Sequence, residues 1–214
     1  MKKLNLILFI LAIASCKNNN DTNSLKDDVE PNTETQEKVT VNSKKFRLLT
    51  NSDFDIAFLN FEGQIVDKKI WEDKNGQNIA IFSEDESELF AYHYLVESNG
   101  VKLSSENKDV EKDCEMDLTL EFDRESISVT DLDKDNIGEI IFAYRKACIS
   151  DVSPKQLNLI ILEEKNEFFI KGQTAVTLGN DTLMKAKIDE TNFSGAPNEF
   201  VNHATKIWKK ISEN

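Results

Sequence analysis

The chain has 214 residues, of which 39% are hydrophobic and 30% are charged, a composition typical of a globular protein. Its formal net charge of -13 argues against nucleic acid as a partner, because the phosphates would be repelled. So acidic a surface is compatible with cation binding, and it is equally compatible with solubility alone.

The first segment, residues 1–15, has the pattern of a lipoprotein signal peptide. Two lysines precede an apolar run that is too short for a spanning helix, which needs about 20 residues. Ala14 and Ser15 then precede Cys16, as in the lipobox of bacterial lipoproteins. We therefore expect cleavage before Cys16, lipid such as palmitate on the mature protein, and a place in the cell envelope at the outer membrane, facing the periplasm or the exterior. An ordinary signal peptide followed by a coincidental cysteine is the alternative.

Residues 16–44 are predicted to be the lipidated cysteine and a disordered tether. The segment is rich in Asn, Thr, Asp, Glu and Lys, and no aromatic residue occurs between Phe9 and Phe46. Such a composition cannot bury enough apolar surface to offset the entropy of ordering. The composition is similar to that of tethers in Bacteroidetes lipoproteins. We expect a spacer between the membrane and one globular domain over residues 45–214.

The domain is predicted to be mainly β, with antiparallel hairpins or a meander, because short apolar or alternating runs are separated by turn residues. Asn75-Gly76 and Asn99-Gly100 are typical of type I′ hairpin turns. Lys165-Asn166 and Gly179-Asn180 are candidates for two later turns. The predicted strands include residues 56–61, 65–71, 78–82, 89–96, 116–122, 140–144, 157–162 and 168–170.

One amphipathic α-helix is predicted at the C-terminus. Pro197 suits a first helical turn, and Phe200, Ala204, Trp208 and Ile211 fall on one face at helical spacing. We expect this apolar stripe to pack on the sheet, and a partner-binding face is the alternative.

An aspartate-rich loop is the most chemically distinctive segment. Asp131, Asp133, Asp135 and Glu139 offer carboxylates, and Ile137 can offer its backbone carbonyl, so the loop could surround a hard cation with oxygen. These residues are the predicted metal ligands.

The spacing of the aspartate loop is not that of an EF-hand, because Phe142 stands where the EF-hand has its bidentate glutamate. It is similar to the calcium loops of integrin-type β-propeller repeats, with Asn136 in place of the usual glycine. A structural calcium ion would then bind weakly, with a Kd of about 0.1–1 mM. The alternative is a solvated acidic turn whose side chains cap the backbone.

The two remaining cysteines, Cys114 and Cys148, are predicted to form a disulfide, since an exported protein meets an oxidising environment. The bond would stabilise the fold by roughly 3–4 kcal/mol on the chain-entropy model. Two buried free thiols are the alternative.

The chain contains none of the sequence motifs of nucleophilic, metalloprotease, phosphate-binding or dinucleotide-binding enzymes. We therefore lean against an enzyme, although paired carboxylates could support cleavage of a glycan. A possible ligand rim for an anionic sugar comprises Arg145, Lys146, Asp151 and His93, and a plain strand exit with a capped turn is the alternative.

Residues 130–172 carry a family resemblance. They combine the aspartate loop, the strand Tyr144-Arg-Lys-Ala-Cys148, the turn Asp151-Val-Ser-Pro154 and a long hairpin. The combination resembles bacterial envelope proteins described as surface polysaccharide, or lipopolysaccharide, biosynthesis proteins, over about residues 65–175. The resemblance implies an accessory role in polysaccharide biosynthesis or display, with an envelope glycan or an envelope protein as partner, and it implies no reaction. A glycan-acting enzyme and a protein-binding or structural envelope module remain the alternatives.

Overall fold

The computed structural model describes residues 44–50 and 54–213. The predicted signal peptide, Cys16 and the tether up to residue 43 lie outside the described residues. Among the described residues, no helix has the length and apolar character needed to cross a bilayer. The elements are β1 (Arg47–Leu48), β2 (Gln64–Asp73), β3 (Gly76–Glu84), β4 (Glu88–Glu97), β5 (Gly100–Val110), β6 (Leu118–Thr130), β7 (Glu139–Cys148), β8 (Gln156–Glu163), β9 (Asn166–Gln173), β10 (Val176–Leu178), β11 (Asp181–Met184), β12 (Lys187–Asn192) and α1 (Asn198–Ile211).

The strands form two five-stranded antiparallel sheets and one small hairpin. The first sheet has the order β1-β2-β3-β4-β5, and the second has the order β12-β9-β8-β7-β6. The hairpin pairs β10 with β11. Within each large sheet almost every strand pairs with its neighbour in sequence, which is a meander. The mainly-β prediction with one C-terminal helix is confirmed.

The predicted hairpins form, but three of the four turns lie one residue earlier than expected, and the third of these is the β8–β9 turn, where Glu163 pairs with Asn166. Asp73 pairs with Gly76 and Glu97 pairs with Gly100, so each glycine begins the returning strand. The φ angles of Gly76 and Gly100 are 127° and 135°, a region that side-chain-bearing residues rarely adopt. Each glycine is therefore required at the residue that follows the turn, and not at one of the two central turn positions.

The two sheets pack face to face as a β-sandwich. Their shared core contains Trp71 and Phe82 from the first sheet and Phe122 and Phe142 from the second. The Phe82 and Phe142 rings meet edge to face, with centroids 5.5 Å apart. Each fully buried aromatic side chain contributes about 2–3 kcal/mol, so this interior layer is the main source of stability.

Helix α1 covers the outer face of the second sheet. Phe200, Ala204, Trp208 and Ile211 are buried there against residues such as Leu159. The predicted apolar stripe therefore packs in the core and is not available to a partner.

The outer face of the first sheet is covered by the segment that includes residues 56–61. The prediction of a strand at residues 56–61 is wrong, because this segment forms turns. Its apolar side chains pack on Ile79, Tyr92 and Tyr94 of the first sheet. The Tyr94 hydroxyl donates to the carbonyl of Asn60 and holds the segment in place.

Candidate functional site

Three hairpin connections meet at one end of the sandwich. They are the β2–β3 turn, the β6–β7 loop that holds the aspartates, and the β8–β9 turn. The backbone N–H of Lys74 donates to the carbonyl of Asn136 at 2.9 Å, and Asn75 Nδ2 donates to Glu164 Oε1 at 3.2 Å. We call this region the three-loop end.

Asp73 of the first sheet binds the aspartate loop through hydrogen bonds. Its buried carboxylate accepts hydrogen bonds from Trp71 Nε1 at 2.9 Å, from the N–H of Gly138 at 3.2 Å and from the N–H of Asn75 at 2.8 Å. A Cβ atom at position 138 would overlap the Trp71 indole, so only glycine allows the loop to approach so closely. This arrangement sets the position of the loop before any ligand binds.

The aspartate loop also folds upon itself. One carboxylate oxygen of Asp131 accepts from the N–H of Asn136 at 3.3 Å, and one of Asp135 accepts from the N–H of Ile137 at 2.7 Å. Lys134 and Asn136 have φ angles of 64° and 65°, which is the left-handed conformation. Asn tolerates this conformation because its short polar side chain can bond locally.

The predicted ligand Glu139 is buried at the base of the loop, with 0% exposure. Its carboxylate accepts from Thr130 Oγ1 at 2.9 Å and from the N–H of Leu132 at 3.0 Å. Carboxylate oxygens of Asp131, Asp133 and Glu139 lie within 4.8 Å of one another, close enough to hold one metal ion. Ile137 has a buried side chain beside this group.

A second group joins the aspartate loop to the β8–β9 turn. Carboxylate oxygens of Asp133, Asp135 and Glu163 lie within 4.8 Å of one another. Glu163 Oε1 is buried, and it has no hydrogen-bond partner among the described residues. Asp133 belongs to both groups, so it is the residue on which any shared ion would depend most.

Sequence reasoning missed Glu163. The signal was present, since Glu163 ends strand β8 and Glu164 follows it, directly before the predicted Lys165-Asn166 turn. The turn lies beside the β6–β7 loop because β6 to β9 form a meander. The sequence left isolated hairpins and a meander both open, and it did not give the register.

Two carboxyl groups at this end have unusual acidity. Burial raises the pKa of Glu139 to about 7, although its hydrogen bonds act in the opposite direction. Burial also raises the pKa of Glu163 to about 7, and repulsion by Asp133 and Asp135 adds to the effect. The ammonium of Lys74, which lies 2.9 Å from Asp135 Oδ2, is the cation that pairs with the group. Excess negative charge therefore remains where a cation could neutralise it.

The predicted rim residues Arg145 and Lys146 point to opposite faces of the second sheet. Arg145 faces the helix, where its guanidinium lies 2.9 Å from Asp123 and donates to the carbonyl of Ile211 at 2.9 Å. Lys146 faces the first sheet, where its ammonium lies 2.9 Å from Asp109. Successive residues of a strand must diverge in this way.

The other two predicted rim residues lie elsewhere. Asp151 accepts a hydrogen bond from Ser153 Oγ at 2.7 Å in an exposed turn. His93 stacks on Trp71, with ring centroids 5.3 Å apart, in a cleft beside the three-loop end. The structure therefore does not bring the four rim residues together.

The disulfide between Cys114 and Cys148 is present, with Cα atoms 5.6 Å apart. It joins the segment before β6 to the end of β7 and thereby closes the stretch of chain that contains the aspartate loop. The pairing predicted from the cysteine count is confirmed.

The fold and the site define a β-sandwich with one covering helix and a carboxylate-rich end that could hold a metal ion. The chain matches no known family model, no curated protein and no solved structure. The resemblance to surface polysaccharide biosynthesis proteins stays a prediction from the sequence.

Proposed function

We propose that this chain is a lipid-anchored envelope protein without a reaction of its own, stabilised by calcium at the three-loop end. In this proposal it acts as an accessory factor in the biosynthesis or display of a surface polysaccharide. The observation that carries the calcium proposal is the position of Asp133, whose carboxylate is common to two groups of acids from two hairpins. The polysaccharide role depends on the sequence resemblance alone.

The chemistry of the donor set favours calcium. Both groups offer only carboxylate oxygens, whereas zinc sites include cysteine or histidine ligands in their usual ligand sets. Calcium accepts six to eight oxygen ligands in flexible geometry, so backbone carbonyls and water can complete the shell around a few carboxylates. Magnesium demands a more regular octahedron and is a weaker candidate.

The proposed ion is structural because it would link two hairpins. It would neutralise the repulsion among Asp133, Asp135 and Glu163, and so join the β6–β7 loop to the β8–β9 turn. The Lys74–Asp135 pair contributes little on its own, because both side chains are well exposed to solvent.

Thermal melting of the full-length protein tests the calcium proposal. With a Kd of about 0.1–1 mM, calcium near 10 mM would add about 1–3 kcal/mol to the free energy of unfolding. This corresponds to a rise in melting temperature of about 3–10 °C for a domain of this size. Asp133→Ala should abolish the rise.

Asp181→Ala is the matched control, because Asp181 is an exposed aspartate in the separate β10–β11 hairpin. This variant should keep the full calcium response. An equal rise in the Asp133→Ala protein, or no rise in the unaltered protein, would contradict the calcium proposal.

The polysaccharide role is tested in cells of the source organism. Deletion of the gene should change the surface glycan profile, and the unaltered gene should restore it. A Cys16→Ser version that leaves the protein off the membrane should restore it less well. An unchanged profile in the deletion strain would reject the role.

A glycan-acting enzyme is the second candidate, and Glu163 is the observation that favours it. A carboxyl with a pKa of about 7 and one buried oxygen has the acidity of a general acid at neutral pH. Release of sugar from envelope glycans by the purified protein, lost in Glu163→Gln, would support this candidate. Release that persists in Glu163→Gln would exclude Glu163 as the acid.

A further inference from the structure

A cleft of about 670 Å³ lies beside the aspartate loop. Its wall on the first sheet includes Asn78, His93 and Leu95, and Lys165 contributes from the β8–β9 turn. This volume lies in the range of sites that bind small molecules.

The hydrogen bonds at the floor of the cleft determine the tautomer of His93. Asn78 Nδ2 donates to the carbonyl of Gly76 at 3.0 Å, so Asn78 presents its Oδ1 to the histidine. Oδ1 can only accept, and it lies 2.9 Å from His93 Nε2. Nε2 therefore carries the proton, and Nδ1 of the neutral ring is an acceptor.

His93 stays neutral under physiological conditions. Burial lowers its pKa to about 4, although the charge of Asp73 acts in the opposite direction. No donor among residues 44–50 and 54–213 reaches Nδ1, since the only hydrogen bond of the ring is the one to Asn78. A ligand hydroxyl is the kind of donor that this acceptor lacks.

A β-bulge brings a further polar group to the cleft. His93 pairs with Ser105 and Tyr94 pairs with Leu103, so Ser104 is the extra residue of strand β5. Ser104 lines the cleft together with His93. Bulges commonly redirect a side chain next to a binding site.

Two ammonium groups of the cleft have no carboxylate partner among the described residues. Asp73 is saturated by three donors within the protein, and Glu164 accepts from Asn75. Lys102 and Lys165 also line the cleft, and neither forms an ion pair with any residue that the structure describes. An anionic group on a ligand would meet these two ammonium groups.

We infer that this cleft binds a small hydroxylated anion of the acidic-monosaccharide class. A ligand hydroxyl donates to His93 Nδ1, and the ligand carboxylate pairs with Lys102 and Lys165. Ser104 provides a hydroxyl that can donate or accept, and Leu95 contacts the carbon skeleton. This inference depends neither on the proposed calcium ion nor on the lipid anchor, and it concerns different side chains.

Nitrogen-detected NMR of the isotope-labelled full-length protein is the direct test. His93 and His203 are the chain's two histidines, so their imidazole signals are readily assigned. Glucuronate should shift the Nδ1 resonance of His93 saturably toward the hydrogen-bonded position and leave His203 unchanged. Absence of a saturable shift would overturn the inference.

Two further probes distinguish the chemistry. Glucose should bind about tenfold more weakly than glucuronate, because it lacks the charge that the lysines recognise. Inorganic phosphate should not reproduce the Nδ1 shift at matched concentration, because as a simple anion it lacks the hydroxylated skeleton. Equal binding of glucose, or an equal shift with phosphate, would overturn the assigned ligand class.

Substitutions identify the residues responsible. Lys102→Gln combined with Lys165→Gln should weaken glucuronate binding about tenfold, because the ligand carboxylate loses both ammonium partners. Both lysines are exposed, so the fold does not depend on them. Lys185→Gln is the matched control, since this exposed lysine lies between β11 and β12, and it should bind normally. Unchanged affinity in the double variant would overturn the inference. Binding measured with calcium and with chelator should agree, so failure here is separable from failure of the calcium proposal.

Discussion

The aspartate loop and the end of strand β7 both look like binding sites in sequence, but the fold treats their charges differently. At the end of β7, Arg145 is matched by Asp123 and a helix carbonyl, and Lys146 is matched by Asp109. At the three-loop end, Asp133 and Glu163 belong to an acidic group whose charge the Lys74–Asp135 pair offsets incompletely. A charged cluster indicates a site only where the fold leaves the charge unmatched.

The largest effect on stability should come from removing the Arg145–Asp123 ion pair at the end of β7. Arg145→Met removes a cation whose side chain is 15% exposed and leaves Asp123, at 11%, without its partner. The free energy of unfolding should fall by about 2–4 kcal/mol, because a poorly solvated carboxylate and a helix-end carbonyl lose their donor. Urea denaturation measures the change.

Arg124→Met is the control for that substitution, because Arg124 is the exposed arginine next to Asp123. It should change stability by less than about 0.5 kcal/mol. If Arg145→Met lost as little stability as Arg124→Met, Arg145 would not be a structural residue, and its role as a ligand would be open again.

The pH dependence of stability sharpens the comparison at the three-loop end. The pKa values of Glu139 and Glu163 are about 7 in the folded chain, above the usual value of 4.5, so the folded state binds more protons in this range. Their stabilising contribution is complete at low pH and is lost as pH rises through 7. Without divalent cations, the free energy of unfolding should fall by on the order of 1 kcal/mol between pH 6.5 and 8.

His93 has the opposite effect on the free energy of unfolding below pH 6.5. The pKa of His93 is lowered to about 4, so the unfolded chain takes up the proton first as pH falls below 6.5. The histidine therefore offsets part of the decline that the two glutamates cause between pH 4.5 and 6.5, and calcium should flatten the decline above pH 6.5. A steady rise from pH 6.5 to 8 without cations would contradict the assignment of raised pKa values to the two glutamates.

The smallest effect should come from Glu163→Gln, and its sign depends on calcium. Without calcium, loss of the repelled charge should raise stability at pH 8 by less than about 1 kcal/mol, since the side chain is partly solvated. With calcium, the variant should be less stable than the unaltered protein, because a ligand is missing. Glu164→Gln is the control, and a change of the same sign in both conditions would show that Glu163 does not contact the ion.

Much of the fold was predictable because its signals are local. Alternating apolar residues and turn dipeptides placed the central hairpins, and helical spacing placed Phe200 and Trp208 on the buried side of α1. The polar edge strands β5 and β12 were missed, because edge strands carry charged residues and lack an apolar run. Residues 56–61 were assigned wrongly, because an apolar run covering a sheet reads like a strand within one.

The sequence by itself determined the antiparallel β architecture, the helix face, the disulfide and the aspartate loop, since each depends on the spacing of residues close together in the chain or on a count of cysteines. Tertiary structure alone decided that Glu163 joins Asp133 and that His93 lies in a separate cleft. The physical reason is that a contact between distant residues is set by strand order, register and sheet packing. These are collective outcomes of core burial that no short segment specifies.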